Sequence, residues 1–419
     1  MRSPAARVGR AAAAVAVLTV IVSVPPAWNS LASTPKSSPI TDQNCLPKAG
    51  GALTAIPWPQ TRLDFERAWS VTQGAGVRVA VIDSGLDRTQ PQLALLHLAD
   101  GYDVLPGFAK NDTRDCDGHG TAVAGIIAAP PVNGVPFVGV APGVTIVPIK
   151  QTNSSGDNLA SDRGIAAGIV YALQVKARVI NISVTVNKPS APIEAAVALA
   201  AKAKVVIVAA AGNDGNGVNA TAYPAAYSRT YPNVIAVSAA NSADQVPSFS
   251  ERGNYVTLCA PGVAVVVPAR QSGYTKMDGT SFAAPYVTGT VALMLADRPS
   301  MTAAEVRTRL EATADPPPAT VPDPRYGYGM VNPYRAVTSV REDTAPPAPV
   351  SARALPARAV VAPPTRRLQR IALAAAAALL ILAGFLAVAS MLGRHRRAAL
   401  MDSAAPTTVD AADLPLPLL

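Results

Sequence analysis

Apolar and polar positions along this chain follow two periods. Short runs that are β-branched and apolar almost throughout occupy 78–82, 145–149, 178–183, 205–209, 234–238 and 256–259. Strands covered on both faces have this character, because neither face meets water. Between them lie longer apolar or helically spaced segments at 120–128, 160–176, 191–203, 281–296 and 302–313. Strands alternating with helices predict an α/β fold, three layers deep, with a mostly parallel central sheet. Functional groups should then gather at the carboxyl ends of the strands. One more short helix is expected over 61–69, where Leu63, Phe65, Ala68 and Trp69 offer an apolar side.

The two ends follow other patterns. Arg2, Arg7 and Arg10 precede an apolar run, 11–24, and then small residues up to Ser30-Leu31-Ala32. That is the tripartite order of an export signal, expected over 1–32. An uncleaved anchor would read similarly, although the run is short for a bilayer. Residues 33–60 are polar and Pro-rich, and too few to hold a core of their own. They read as an extension packed on the domain 61–340. Beyond it, 341–370 is a Pro-rich, semi-extended linker. Residues 371–392 carry no charge and, at 1.5 Å per residue, would span roughly 33 Å, enough to cross a membrane once as a helix. Arginines flank that segment on both sides, so the export signal decides orientation. The domain should lie outside the cell membrane and the tail, 393–419, in the cytoplasm.

The formal charge of +9 changes the picture less than its size suggests, because the excess sits in the two ends and the central region is nearly neutral. A nucleic-acid groove would make the folded domain itself basic, so nucleic acid is not an expected partner. The chain has three histidines. His395 lies beyond the apolar segment, and His97 sits among leucines, where a packed strand position is expected. Only His119 has glycine-rich surroundings suited to a cleft. No zinc-spaced Cys/His cluster is present, and the loop 130–139 lacks the carboxylates of a calcium site. Neither a metal nor another cofactor is expected.

Three stretches carry chemistry. In Val79-Ala80-Val81-Ile82-Asp83 a buried strand ends in a carboxylate. In Asp117-Gly118-His119-Gly120-Thr121 a histidine opens a helix. In Asp278-Gly279-Thr280-Ser281-Phe282 a serine sits at a helix N-terminus, where unpaired N–H groups and the helix dipole favour negative charge. Alone, the last stretch fits an ordinary helix cap equally well. Together, in the order Asp, His, Ser, the three resemble the subtilisin-like serine proteases over roughly 61–340. The resemblance implies that Ser281 is the nucleophile, His119 its base and Asp83 the group orienting His119. Asn213, in Ala211-Gly212-Asn213-Asp214-Gly215, resembles the family's oxyanion asparagine, although Asn-Asp-Gly is also a turn signal.

Two departures from the family pattern stand out. The Ser-Leu-Gly-Gly that usually pairs with substrate is replaced by Ser183-Val184-Thr185-Val186, which favours narrow selectivity. Ala122 stands where many relatives have a second histidine. In an exported domain a disulfide is expected between Cys45 and Cys116, three residues before His119; Cys259, in an apolar strand, is expected as a buried free thiol.

The order of signal, short Cys-bearing extension, protease, linker and single C-terminal span resembles the mycosins, membrane-anchored proteases of type VII secretion systems. That resemblance implies protein or peptide substrates and possible secretion-membrane components as partners. It leaves two roles open: a narrow-specificity endopeptidase, or a structural component whose proteolysis is dispensable.

Overall fold

Among the described residues eight strands build one sheet, and its strands pair in parallel. The strands are β1 (Arg78–Asp83), β2 (His97–Leu98), β3 (Tyr102–Asp103), β4 (Thr145–Lys150), β5 (Val179–Ile182), β6 (Val206–Ala210), β7 (Val234–Ala240) and β8 (Leu258–Pro261). Their order is β2-β4-β1-β5-β6-β7-β8, with β3 also on β4. A separate antiparallel hairpin joins β9 (Val265–Pro268) to β10 (Tyr274–Met277). This is a computed structural model, and it describes residues 49–105, 110–153 and 161–339. All of these belong to a unit ending at Ala352. The segment 1–32 (the expected signal), Cys45, the whole linker 341–370, the apolar segment 371–392 and the tail lie outside the described residues.

The six longer strands of the sheet are buried along nearly their whole length, as their β-branched composition requires. Alternate side chains of β1 enter different cores. Val79 and Val81 pack on the side of α2 (His119–Ala128) and α5 (Thr280–Asp297). Ala80 and Ile82 pack on the side of α3 (Asp162–Gln174) and α4 (Ala191–Lys202). The result is three layers. The α2 and α5 side is also closed by α1 (Trp58–Leu63), α6 (Ala303–Thr313) and α7 (Pro333–Thr338).

The helix starts divide into two kinds. Ser161, Ser190, Thr302 and Asn332 cap α3, α4, α6 and α7 with their side chains, and α6 has a full capping box with Glu305. By contrast, α2 and α5 begin after Gly118 and Gly279 and have no side-chain cap. Both are buried on all sides, and their N-termini are held by longer-range contacts described below. β1 lies between β4 and β5, so the chain order reverses there. Open α/β sheets bind ligands at such a switch point, outside the strand carboxyl ends. Asp83 is the last residue of β1.

The expected elements are present with ends shifted by one or two residues, apart from three differences. The segment 61–69 is not one helix: α1 stops at Leu63, capped by Asp64, whose φ is +47° and whose N–H closes on the Gln60 carbonyl, and a 3-10 turn, Phe65–Ser70, follows. His97 is in a strand but exposed, because β2 is only two residues long and lies at the sheet edge. The hairpin β9–β10 was not expected at all; Thr275 and Lys276 are exposed and give β10 no apolar signature.

Candidate active site

The carboxyl end of β1 and the start of α2 bring two charged groups together in a buried place. His119 Nδ1 lies 2.7 Å from Asp83 Oδ1, with both side chains almost fully buried. The Ser84 N–H donates to the same Asp83 oxygen at 2.7 Å. Burial by itself pushes the imidazole towards its neutral form. The Asp83 charge and hydrogen bond, helped by Asp117 and Asp115, outweigh that and hold the His119 pKa above its usual value. With Nδ1 committed to Asp83, Nε2 is the ring nitrogen left to exchange a proton.

The loop before α2 is shaped by a residue the sequence did not single out. Asp115, 3% exposed, accepts five hydrogen bonds. Oδ1 takes the Ser84 hydroxyl and the N–H groups of Asp117 and Gly118; Oδ2 takes the N–H and hydroxyl of Thr121. The Ser84 hydroxyl in turn accepts the Gly120 N–H at 2.9 Å. One carboxylate thus fastens the end of β1 to the first turn of α2 and fixes His119 relative to Asp83. Gly120 is required for this close approach: a Cβ there would fall 2.3 Å from the Gly85 carbonyl oxygen. Below the loop, Lys150 is fully buried at the end of β4 and donates to the Arg114 carbonyl. Burial lowers its pKa, and Asp103, its partner in the β3–β4 register, opposes that.

Ser281 is the second residue of α5, so its N–H lies outside the intrahelical ladder. Its hydroxyl donates to the Ser183 carbonyl at 2.9 Å, and the Ser183 hydroxyl donates back to the Ser281 carbonyl at 2.9 Å. The structure therefore places Ser281 beside the end of β5, without a hydrogen bond to His119. The two residues are nonetheless neighbours, since the His119 ring packs against that of Phe282 with centroids 5.1 Å apart. A rotation about χ1 redirects a serine hydroxyl, and catalytic hydrogen bonds commonly tighten only when substrate binds.

Asn213 follows β6. Its Oδ1 accepts the Thr280 N–H at 2.9 Å and the Thr280 hydroxyl at 3.0 Å. With two donors on Oδ1, Nδ2 is the end of the amide left to donate elsewhere. Glu251, buried behind this loop, accepts the Asp214 N–H at 3.3 Å and donates its own N–H to the Gly212 carbonyl at 3.0 Å. The structure thus brings Asp83, His119, Ser281 and Asn213 around the carboxyl ends of β1, β5 and β6. Cys116 is disulfide-bonded, Cys259 is free and buried, and Cys45 lies outside the described residues. Among the described residues no group of three or more His, Cys, Asp or Glu could hold a metal ion.

Comparison with known proteins agrees with this geometry. The model of the peptidase S8 subtilase family matches residues 74–329. Mycosin-4 of Mycobacterium tuberculosis (strain ATCC 25618 / H37Rv) is 37% identical over 371 residues, covering 78% of this chain and 80% of that protein. A thermophilic serine proteinase of Bacillus sp. (strain AK1) is 39% identical over 272 residues, 65% of this chain and 64% of that relative, so under two thirds of its length is spanned. Among solved structures, MycP1 from Mycobacterium smegmatis aligns with a TM-score of 0.62 at 29% identity, over 74% of this chain and 93% of that one. MycP1 from the ESX-1 type VII secretion system aligns with a TM-score of 0.63 at 29% identity, over 73% and 92%.

Proposed function

Because the chain belongs to the subtilase family of peptidases, we propose that Asp83, His119 and Ser281 are its catalytic triad, serving an extracytoplasmic, membrane-anchored serine endopeptidase. The observation that carries this reading is the buried 2.7 Å contact of His119 with Asp83, next to a serine at an uncapped helix start. In the proposed reaction the Ser281 hydroxyl leaves the Ser183 carbonyl, and His119 Nε2 takes its proton as the oxygen attacks the scissile carbonyl. Asp83 holds the imidazole tautomer and stabilises the imidazolium. The oxyanion is received by the Ser281 N–H and Asn213 Nδ2, whose direction is fixed by Thr280. His119 then gives its proton to the departing amine.

Narrow selectivity is supported by Val184, Thr185 and Val186. Thr185 and Val186 stand where the family usually places glycines, and Val186 is tied back to Tyr223 as a bridge. Likeness to mycosin-4, and to MycP1 of a type VII secretion system, supports a place beside a secretion machine, with a protein or peptide as substrate. Anchoring rests on the sequence of 1–32 and 371–392, and the bridge from Cys116 to Cys45 on Cys259 being free.

A fluorophosphonate probe tests the nucleophile. The full chain should be labelled, and Ser281→Ala should lose labelling and peptidase activity with an unchanged melting temperature. Full labelling of Ser281→Ala would sink the assignment.

A further inference from the structure

A cavity of about 370 Å³ opens beside His119, and neither Ser183 nor Asn213 lines it. Its walls include Ala122, Pro268, Met277 and the extension at Ala49 and Gly50. Ala122 leaves room that a larger side chain at this helix position would fill. The size suits one or two residues of a peptide. Arg270 also lines the cavity and is shared with a second, wider cavity on its other side.

Arg270 is only 4% exposed, yet its Nε and Nη2 have no hydrogen-bond partner. A guanidinium stays charged at any working pH, and burying its donors unpaired is costly. Acids are near but already engaged. Asp115 spends both oxygens on the loop as described. Asp87 accepts from Thr89 and from the Gln271 N–H. Asp112 is paired with Arg114. Asp117, at the cavity wall, accepts the His119 N–H. A buried, unpaired, forked cation in a cavity wall is the arrangement that binds a carboxylate in two-pronged fashion.

The position tells which part of a substrate would reach it. In the proposed mechanism the scissile carbonyl lies between Asn213 and the Ser281 N–H, and neither residue lines this cavity. His119 does, and it is the group that hands a proton to the leaving amine. The chain attached to that amine therefore passes along this flank. We propose that Arg270 is a specificity residue that binds a carboxylate on the leaving-group half of the substrate, either an Asp or Glu side chain or a free chain end. This rests on the serine-peptidase reading for its placement, but not for its test.

The test is equilibrium binding to the full chain carrying Ser281→Ala, which cannot turn over. Four tripeptides serve as probes: Ala-Asp-Ala amide, Ala-Asn-Ala amide, Ala-Ala-Ala acid and Ala-Ala-Ala amide. A charge-assisted pair predicts that an acidic probe binds roughly ten- to a hundredfold more tightly than its neutral counterpart. Preference for Ala-Asp-Ala amide identifies a side chain as the ligand; preference for Ala-Ala-Ala acid identifies a chain end. Adding Arg270→Gln should abolish the preference, and Arg270→Lys should keep part of it. Equal affinity for all four probes overturns the proposal, whether or not the variants fold. So does a preference that survives Arg270→Gln. Loss of fluorophosphonate labelling in the unmodified chain would instead count against the peptidase reading and leave these affinities standing.

Discussion

In the proposed triad His119 acts as a base only when neutral, and its surroundings favour the cation. The ordinary imidazole pKa is about 6.5; with the shift upward, the acid limb of kcat/KM should have its midpoint above that value. Activity then rises with pH as the proton leaves. Asp83→Asn removes the charge that opposes desolvation, so the midpoint should move down while kcat falls by roughly 10⁴-fold. A pH–rate profile of the two proteins checks this; an acid limb that stays in place would mean that another group controls it. Asp83, His119, Ser281 and Asn213 were legible because each sits in a short local pattern at an element boundary. Asp115 was not, since its role depends on Ser84 and Thr121 meeting it in space. Nor was Arg270, whose significance lies in lacking a partner, a property no sequence displays.

The extension is the element whose role the structure sharpens most. Gly50 N–H donates to the Ser272 carbonyl at 2.8 Å, and Gly51 exchanges two 2.9 Å hydrogen bonds with Tyr274 at the start of β10. The chain lies so close that a Cβ on Gly50 would come within 2.3 Å of the Tyr274 carbonyl oxygen. The extension is thus laid along the hairpin that carries Arg270, at the wall of the cavity next to His119. The proposed bridge from Cys45 to Cys116 would close a loop of about 70 residues, worth roughly 4 kcal/mol of chain entropy. A chain beginning at Gly50 should melt several degrees lower and gain no activity. Peptide mapping without reductant should recover Cys45 joined to Cys116. A large gain in activity with stability intact would make the segment an inhibitor instead. The buried strands and long helices could be read from composition alone, because burial on both faces leaves one kind of residue. The hairpin could not: Tyr274–Met277 is half exposed, and it is a strand only through β9 and the extension. The two-residue strands β2 and β3 likewise exist only by pairing with β4.

At the scale of the whole molecule, the fold supplies a cleft and the proposed signal and span would supply an address. Among the described residues no helix is long and apolar enough to cross a membrane. The uncharged segment 371–392 lies outside them, after a Pro-rich linker. Arg366, Arg367 and Arg370 precede that segment and Arg394, Arg396 and Arg397 follow it, so flanking charge gives opposing instructions. The proposed N-terminal signal would break the tie: export of the peptidase domain, followed by a stop at the second apolar segment, would leave 393–419 inside. In intact spheroplasts, an external protease should therefore cut within 341–370 and release the domain, while an epitope at Leu419 stays protected and membrane-bound. Deleting 371–419 should release the same domain without any protease and leave its fluorophosphonate labelling unchanged, because Asp83, His119 and Ser281 all lie before the linker. A protected linker with an accessible Leu419 epitope would reverse the orientation, and a deleted form that remains on the membrane would move the anchor elsewhere.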